Sequence, residues 1–189
     1  VSGTEVDGNW GITPDGSRVI YVAEEQAFNR YELFSVPVDG SSPRIKLNPT
    51  LMPGGYVGDI NVYGFFPYVR LTPDGRAVYL AVQEGYGKEE LFSVPIDGSA
   101  TAIKLSGTLV PGGEVRNHFV LTLDGSHVVY LAMAQPNGVE ELFIAPVDGS
   151  AAPLKLNGPL VTGGDIVSVI SRAGPARFGG NRAVYLADA

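Results

Sequence analysis

The sequence predicts an all-β protein, a partial β-propeller of about 3.5 four-stranded antiparallel blades. Three observations predict this fold. The chain repeats itself roughly every 50–58 residues, each repeat carries two Asp-Gly turns, and its central apolar runs lack polar alternation. Sheets that are buried on both faces show such unbroken apolar runs. Repeated antiparallel sheets of four short strands are typical of propeller blades.

Four short motifs recur in a fixed order. The clearest is LFSVPVDG at 33–40, which returns as LFSVPIDG at 91–98 and as LFIAPVDG at 142–149. The others are TPDG or TLDG at 13–16, 72–75 and 122–125, a Val/Tyr-rich run at 18–23, 77–81, 127–132 and 183–187, and IKLN, IKLS or LKLN at 45–48, 103–106 and 154–157. Each complete repeat therefore contains four apolar runs of strand length.

Turn residues separate these runs. In Thr-Pro-Asp-Gly, proline presets φ, aspartate bonds back to the backbone and glycine takes positive φ, so a tight turn joins the first two strands. Asp39-Gly40 and its counterparts join the third and fourth strands. A parallel β-helix has shorter coils, which would not carry two such turns in each unit.

The spacing of the turns divides the chain into blades. A single repeat domain over 1–189 is predicted, with complete blades at about 8–50, 58–107 and 116–157 and a partial blade at about 166–189.

Composition excludes several classes of partner and site. The net charge is −7, with 13 Lys and Arg against 20 Asp and Glu, so no spare basic patch exists for nucleic acid. No apolar run approaches the roughly 18–20 residues of a membrane helix, and we expect no membrane insertion. The chain has no cysteine, which excludes disulfides and cysteine-ligated metals. It begins with Val1 and not with Met, so we expect a processed or trimmed chain or a piece of a longer one.

Motifs for catalysis are missing from the sequence. It has no Gly-x-Ser-x-Gly elbow, no phosphate-binding loop and no Gly-x-Gly-x-x-Gly. Two histidines, His118 and His127, are too few for a histidine-based metal site. The carboxylates near the Gly pairs are Glu5, Glu114 and Asp165, which is one per blade. A calcium ion needs 6–8 oxygen ligands, so one carboxylate in each blade is too few for a calcium site. We therefore expect no enzyme, no cofactor and no metal site.

The repeats differ most in two insertions. The second blade gains about eight residues between Gly55 and Thr72. The aromatic side chains there are Tyr63, Phe65, Phe66 and Tyr68. Loop aromatics are frequent interface anchors, so these four are candidate protein-contact residues, and the alternative is that they fill the groove between blades.

The second insertion, SRAGPARFGGNR in the fourth repeat, brings three arginines, Arg172, Arg177 and Arg182. The sequence leaves two alternatives for these arginines: they bind an acidic partner, or they lie in a solvated loop.

Propellers usually close with about 4–8 blades. Three and a half blades leave an open strand edge near 183–188, and the candidate assembly residues there are Ala183, Val184, Tyr185 and Leu186. The first blade would also expose an apolar face. Uncovered edges and faces invite pairing with another chain. We therefore expect a chain that is not a stable monomer. It would be a piece of a longer propeller, or a protomer of a ring or filament.

The run TPDG…VVYLA…ELFSVPVDG…KLN resembles the TolB-like propeller repeats, also called WD40-like or PD40 repeats. The resemblance covers nearly the whole chain, although these repeats are longer than usual for that family and the fourth lacks TPDG. It implies a non-catalytic scaffold that is periplasmic, on the cell surface or secreted, and that binds other proteins or itself. Similar blades also form the non-catalytic domain of some prolyl-oligopeptidase-like serine peptidases, which leaves a fragment of such an enzyme as the alternative.

Overall fold

Four antiparallel β-sheets follow one another along the chain. The computed structural model describes residues 10–24, 28, 30–58, 68–85, 87–135, 138–161, 164–169 and 185–187. Sheets one to three each contain one repeat, and the described part of sheet four holds two strands. The prediction of an all-β partial β-propeller is confirmed.

The strands of each sheet pair in chain order, apart from the divided first strand of sheet two. Sheet one contains β1 (Trp10–Ile12), β2 (Arg18–Glu24), β3 (Tyr31–Pro37) and β4 (Ile45–Lys46). Sheet two contains β5 (Tyr56–Val57), β6 (Val69–Leu71), β7 (Arg76–Val82), β8 (Glu90–Pro95) and β9 (Ile103–Lys104). Sheet three contains β10 (Val115–Leu121), β11 (His127–Ala132), β12 (Glu141–Pro146) and β13 (Leu154–Lys155), and sheet four contains β14 (Ile166–Val169) and β15 (Tyr185–Ala187).

The repeats share one strand register. In sheet one Tyr21 of β2 lies between Trp10 of β1 and Phe34 of β3. The matching triplets are Val69, Tyr79 and Phe92 in sheet two and Phe119, Tyr130 and Phe143 in sheet three. The paired Tyr and Phe rings stack with centroids 5.4, 5.7 and 5.7 Å apart, an arrangement that stabilises neighbouring strands.

The TPDG and TLDG motifs form the predicted turns between the first two strands. The amide N–H of Gly16, Gly75 and Gly125 donates to the carbonyl of the threonine three residues earlier, at 2.8, 3.2 and 2.9 Å. These glycines have φ of 72°, 84° and 70°, a conformation that residues with a Cβ rarely adopt.

Neighbouring sheets pack face to face through alternating residues. In β7 the side chains of Ala77 and Tyr79 lie in one apolar cluster with sheet one, and those of Val78 and Leu80 lie in another with sheet three. We call the side that is turned toward the earlier sheet the upstream face, and the opposite side the downstream face. Sheet two is buried on both, as its unbroken apolar runs predict.

The predicted insertion interrupts the first strand of sheet two. Its two pieces, β5 and β6, both pair with β7, and residues 59–67 between them lie outside the described residues. In sheet three one strand, β10, takes both places with a register shift between Val115 and Phe119. Sheets two and three begin at Tyr56 and Val115, just before the predicted limits of 58 and 116.

Candidate protein-binding surface

The glutamates that recur at the start of the third strands are structural. Glu32, Glu90 and Glu141 are buried, and each accepts a hydrogen bond from a lysine of the fourth strand. The Lys Nζ to Glu Oε1 distances are 3.0 Å for Lys46–Glu32, 3.3 Å for Lys104–Glu90 and 2.6 Å for Lys155–Glu141. The same ion pair therefore ties the third strand to the fourth strand in each of sheets one to three.

A second polar contact ties the middle strands together in two sheets. The Arg18 Nε donates to Ser35 Oγ at 2.6 Å, and the Arg76 Nε donates to Ser93 Oγ at 2.8 Å. In sheet three His127 takes the arginine position, and its Nδ1 lies 2.8 Å from Ser126 Oγ. The side chain of His118 lies outside the described residues.

The exposed turn aspartates form hydrogen bonds within their own turns. Bonds from the Thr13 hydroxyl, the Ser17 amide and the Ser17 hydroxyl lower the pKa of Asp15 to about 2. Asp124 has the same arrangement with Thr122 and Ser126, and its pKa is also lowered to about 2. These shifts come from turn geometry and not from a cleft, so they indicate architecture.

Carboxylates meet at the junction of sheets three and four. Arg116 pairs with Glu140 and, at 2.5 Å, with Glu114, while the Glu140 amide donates to Asp165 Oδ1 at 2.7 Å. Burial acts to lower the pKa of Arg116, but the hydrogen bond to Glu140 and the charges of Glu140, Glu114 and Asp165 raise it overall. The guanidinium group offsets one of the three negative charges and holds Glu114 and Glu140 in hydrogen bonds.

Among the described residues, no group of three or more His, Cys, Asp or Glu side chains could hold a metal ion. The same residues form no helix that is long and apolar enough to span a membrane.

The aromatic insertion is described only at its end. Tyr68 is buried, and it packs in the apolar cluster between sheets two and three. Its ring therefore takes the groove-filling role that the sequence left open. Tyr63, Phe65 and Phe66 lie outside the described residues, and their contact role stays a prediction.

The predicted assembly edge and arginine loop are also mostly outside the described residues. Those positions are Ala183, Val184, Arg172, Arg177 and Arg182. Tyr185 and Leu186 are described, and their backbone pairs with β14 in sheet four.

The upstream face of sheet one is the largest departure from the repeat. Trp10 and Ile12 of β1 are each 53% exposed, and Val38 after β3 is 54% exposed. The residues at the Trp10 position in sheets two and three, Val69 and Phe119, are each 1% exposed. Those at the Val38 position, Ile96 and Val147, are 8% and 2% exposed.

Turn glycines show that the earlier sheet makes this difference. A Cβ on Gly98 would lie 2.8 Å from the Cδ1 of Ile45 in sheet one, and a Cβ on Gly149 would lie 2.7 Å from the Cδ1 of Ile103 in sheet two. The equivalent Gly40 has nothing within 4 Å of such a Cβ. Among the described residues, the upstream face of sheet one thus carries three exposed apolar side chains, those of Trp10, Ile12 and Val38.

Sequence reasoning expected this face but named none of these three residues. The available signal was positional. Trp10, Ile12 and Val38 hold places that the other repeats fill with apolar side chains.

No protein-family model matches this chain, and no curated protein matches it. Solved structures do match. The chain is similar in fold to a mutant puromycin hydrolase complexed with PGG, with a TM-score of 0.57 and 15% identity over 79% of this chain and 20% of that one. It is also similar to a variant of the isopeptidase AtxE2, with a TM-score of 0.51 and 10% identity over 83% of this chain and 30% of that one. The chain thus spans less than a third of either protein, and at such identity the likeness concerns the fold alone.

Proposed function

We propose that this chain is a non-catalytic β-propeller module that binds a protein surface. The observation that carries the proposal is the apolar upstream face of sheet one, on which Trp10, Ile12 and Val38 are each more than half exposed. Contiguous exposed apolar surface is typical of protein interaction sites. Tryptophan is also among the residues that dominate binding energy at such sites.

The chemistry of the described charged residues supports the non-catalytic part of the proposal. Catalytic acids and bases usually have pKa values shifted by burial or by a charged neighbour in a cleft. Here the lowered pKa values of Asp15 and Asp124 belong to exposed turns. The buried Glu32 and Glu90 repeat the same lysine pair in successive sheets. Repetition of this ion pair in sheets one to three favours a structural role over a single active site.

An activity assay tests this part. The purified chain should turn over neither peptide nor ester substrates, and a fluorophosphonate probe for activated serines should leave it unlabelled. Heat-unfolded chain is the matched control for nonspecific labelling. Hydrolytic turnover that a single point mutation abolishes would refute the proposal.

A second candidate is that the chain is the propeller portion of a larger hydrolase. The two structural neighbours favour it, because both are hydrolytic enzymes by name and the chain matches 20% and 30% of their lengths. The coding sequence around residues 1–189 would decide. An adjoining α/β segment with Gly-x-Ser-x-Gly would support this candidate. Further propeller repeats without such a segment would count against it.

The TolB-like assignment and a location in the periplasm, on the cell surface or outside the cell remain predictions from the sequence resemblance. Fractionation of the source cells tests the location. Recovery of the protein only with cytosolic markers would contradict it.

A further inference from the structure

We propose that sheet three carries a binding site for a primary ammonium group, such as that of a lysine side chain on a partner protein. The site consists of the Glu141 carboxylate and the main-chain carbonyl of Leu160. It goes beyond the proposed function, because it lies on a different sheet from the exposed apolar face and does not depend on that face. Sheets one and two fill the equivalent places with a cation of their own.

The buried glutamates of sheets one and two each face a second cation besides the lysine of the fourth strand. The Arg30 Nε lies 3.9 Å from Glu32 Oε1. The Lys88 Nζ lies 3.4 Å from Glu90 Oε1. In both sheets this second cation stands two residues before the glutamate.

The second cation also binds the segment that follows the fourth strand. Arg30 Nη2 donates to the Leu51 carbonyl at 2.9 Å, and Lys88 Nζ donates to the Leu109 carbonyl at 3.3 Å. Both leucines lie 19 residues after the buried glutamate of their sheet. One side chain therefore joins a carboxylate to a main-chain carbonyl in each of these sheets.

Sheet three has the equivalent carboxylate and carbonyl but not the second cation. Glu141 pairs with an alanine of the second strand, as its two counterparts do, and Leu160 again lies 19 residues later. The residue two places before Glu141 is Val139, whose side chain has no donor. Among the described residues, Lys155 is consequently the only cation that pairs with Glu141.

The backbone around Glu141 keeps the arrangement of the other sheets. The Leu142 amide donates to Asn157 Oδ1 at 2.9 Å, as the Leu33 amide donates to Asn48 Oδ1 at 2.7 Å in sheet one. The Leu156 amide then donates to the Leu142 carbonyl at 2.8 Å, the distance found at the same place in sheet one. The frame that holds the two oxygen groups is thus kept, and only the donor between them differs.

Burial makes this difference significant. A buried carboxylate is costly unless it is paired and hydrogen-bonded. The Oε2 of Glu141 is buried without a hydrogen-bond partner, as in its two counterparts, so Glu141 has fewer partners than either of them. Its side chain is 9% exposed, whereas those of Glu32 and Glu90 are 0% and 1% exposed. A ligand from solvent therefore has better access to this carboxylate than to the other two.

A primary ammonium group has the chemistry that this place needs. It carries one positive charge and three N–H donors. Lys88 shows that such a group reaches the glutamate and the leucine carbonyl at the same time. Hydrogen bonds between ionised partners are also the stronger ones. A quaternary ammonium ion has the same charge but no donor, so it should not bind in this way.

Amide NMR spectra of the intact chain test the site. The probe is n-butylammonium chloride, and tetramethylammonium chloride at equal ionic strength is the control for charge alone. We expect butylammonium to shift the amide signals of Glu141, Leu142 and Leu160 until they saturate, and tetramethylammonium to leave them in place. Nα-acetyl-lysine amide, compared with its norleucine counterpart, then tests the lysine form of the ligand. Rejection of the lysine compound alone would assign the site to small free amines.

Two reciprocal substitutions test the comparison between sheets. Val139→Lys supplies the second cation within the chain, and it should raise the dissociation constant of butylammonium on the order of tenfold. Leu123→Lys is the matched control, because it adds the same charge in an exposed turn of the same sheet, and it should bind like the unmodified chain. Lys88→Val should create a second site, with new shifts at Glu90 and Leu109. Its lowered melting temperature should be partly restored by butylammonium.

Three results would overturn the proposal. They are shifts that never saturate, equal shifts with tetramethylammonium, and binding that Val139→Lys leaves unchanged. Val139→Lys replaces a half-buried residue and keeps Glu141, so it remains a test even if Lys88→Val fails to fold. The hydrolysis assay and the exposed face of sheet one are independent of all these outcomes, so the proposed function and the ammonium site fail separately.

Discussion

Sheets one and two have almost the same strand pattern but very different exposure. Val38 and Ile96 both follow the proline of the third strand and precede Asp-Gly, yet they are 54% and 8% exposed. Tyr21 and Tyr79 both stack on a phenylalanine of the next strand, yet Tyr79 is fully buried and Tyr21 is half-buried. The strands are alike, and the earlier neighbour is what differs. Burial in this fold is therefore a property of the interface between sheets.

The largest test of this comparison is removal of the equivalent tyrosine rings. Tyr79→Ala should cost about 3–5 kcal/mol of unfolding free energy, because it empties a fully buried site. It also removes the hydrogen bond from the Tyr79 hydroxyl to Gln83 Oε1, 2.8 Å long. Tyr21→Ala should cost roughly 1–2 kcal/mol, as is usual for half-buried sites. Urea unfolding of both variants at low protein concentration measures the difference, and equal costs would contradict the comparison.

A smaller effect separates two turn glycines. A Cβ on Gly125 would lie 2.3 Å from the Cδ of Pro73 in sheet two, whereas a Cβ on Gly16 meets nothing within 4 Å. Both alanine substitutions should lower the free energy of unfolding by about 1–2 kcal/mol, because the glycine they replace has a left-handed backbone conformation. Gly125→Ala should add roughly 1–3 kcal/mol for crowding against a rigid ring. Denaturant midpoints of the two variants give this difference directly. If Gly16→Ala proved as costly as Gly125→Ala, the contact between the sheets would not be the cause.

The turn aspartates should behave alike in sheets one and three, because their bonds are local. Hydrogen bonds within the turns lower the pKa of Asp15 and of Asp124 to about 2, from the 3.8 of an ordinary aspartate. Their contribution to stability is therefore present above about pH 4 and is lost as the pH falls toward 2. Asp15→Asn and Asp124→Asn should lower the melting temperature at pH 7 by similar small amounts, and the difference from the unmodified chain should shrink toward zero near pH 2. A difference that persisted at pH 2 would show that the carboxylate charge is not responsible.

The smallest change in stability is expected within the insertion of sheet two. Phe66→Ala and Tyr63→Ala should weaken association with a protein partner or with another copy of the chain. Their melting temperatures should stay within a few degrees of that of the unmodified chain. Tyr68→Ala is the contrasting variant, because Tyr68 is buried in the cluster between sheets two and three. Its melting temperature should fall by roughly 2–4 °C for each kcal/mol lost. If Phe66→Ala and Tyr63→Ala simply unfolded the chain, these aromatics would share the core role of Tyr68.

The candidate surface was predicted only in part from the sequence pattern. The count of repeats predicted an apolar face on the first blade, but the residues named as protein contacts were the aromatics of the insertion. Tyr68 and Trp10 look similar in the sequence, each an aromatic residue in or next to a first strand. Tyr68 faces sheet three and is 5% exposed, whereas Trp10, at 53%, lies on a face beside which the described residues place no other sheet. No local property of either residue contains that information.

The sequence by itself determined the strands, the turns and the shared register. Its signals are local: Pro-Asp-Gly restricts the backbone of a turn, and an unbroken apolar run needs cover on both sides. The identity of the residue at each repeated position then placed Glu32 beside Lys46 in the same way as Glu90 beside Lys104. Only the tertiary structure decided which copies of a repeated position are buried. Exposure depends on the presence of an earlier sheet, and that contact joins residues about 50 positions apart, as Ile45 and Gly98 show.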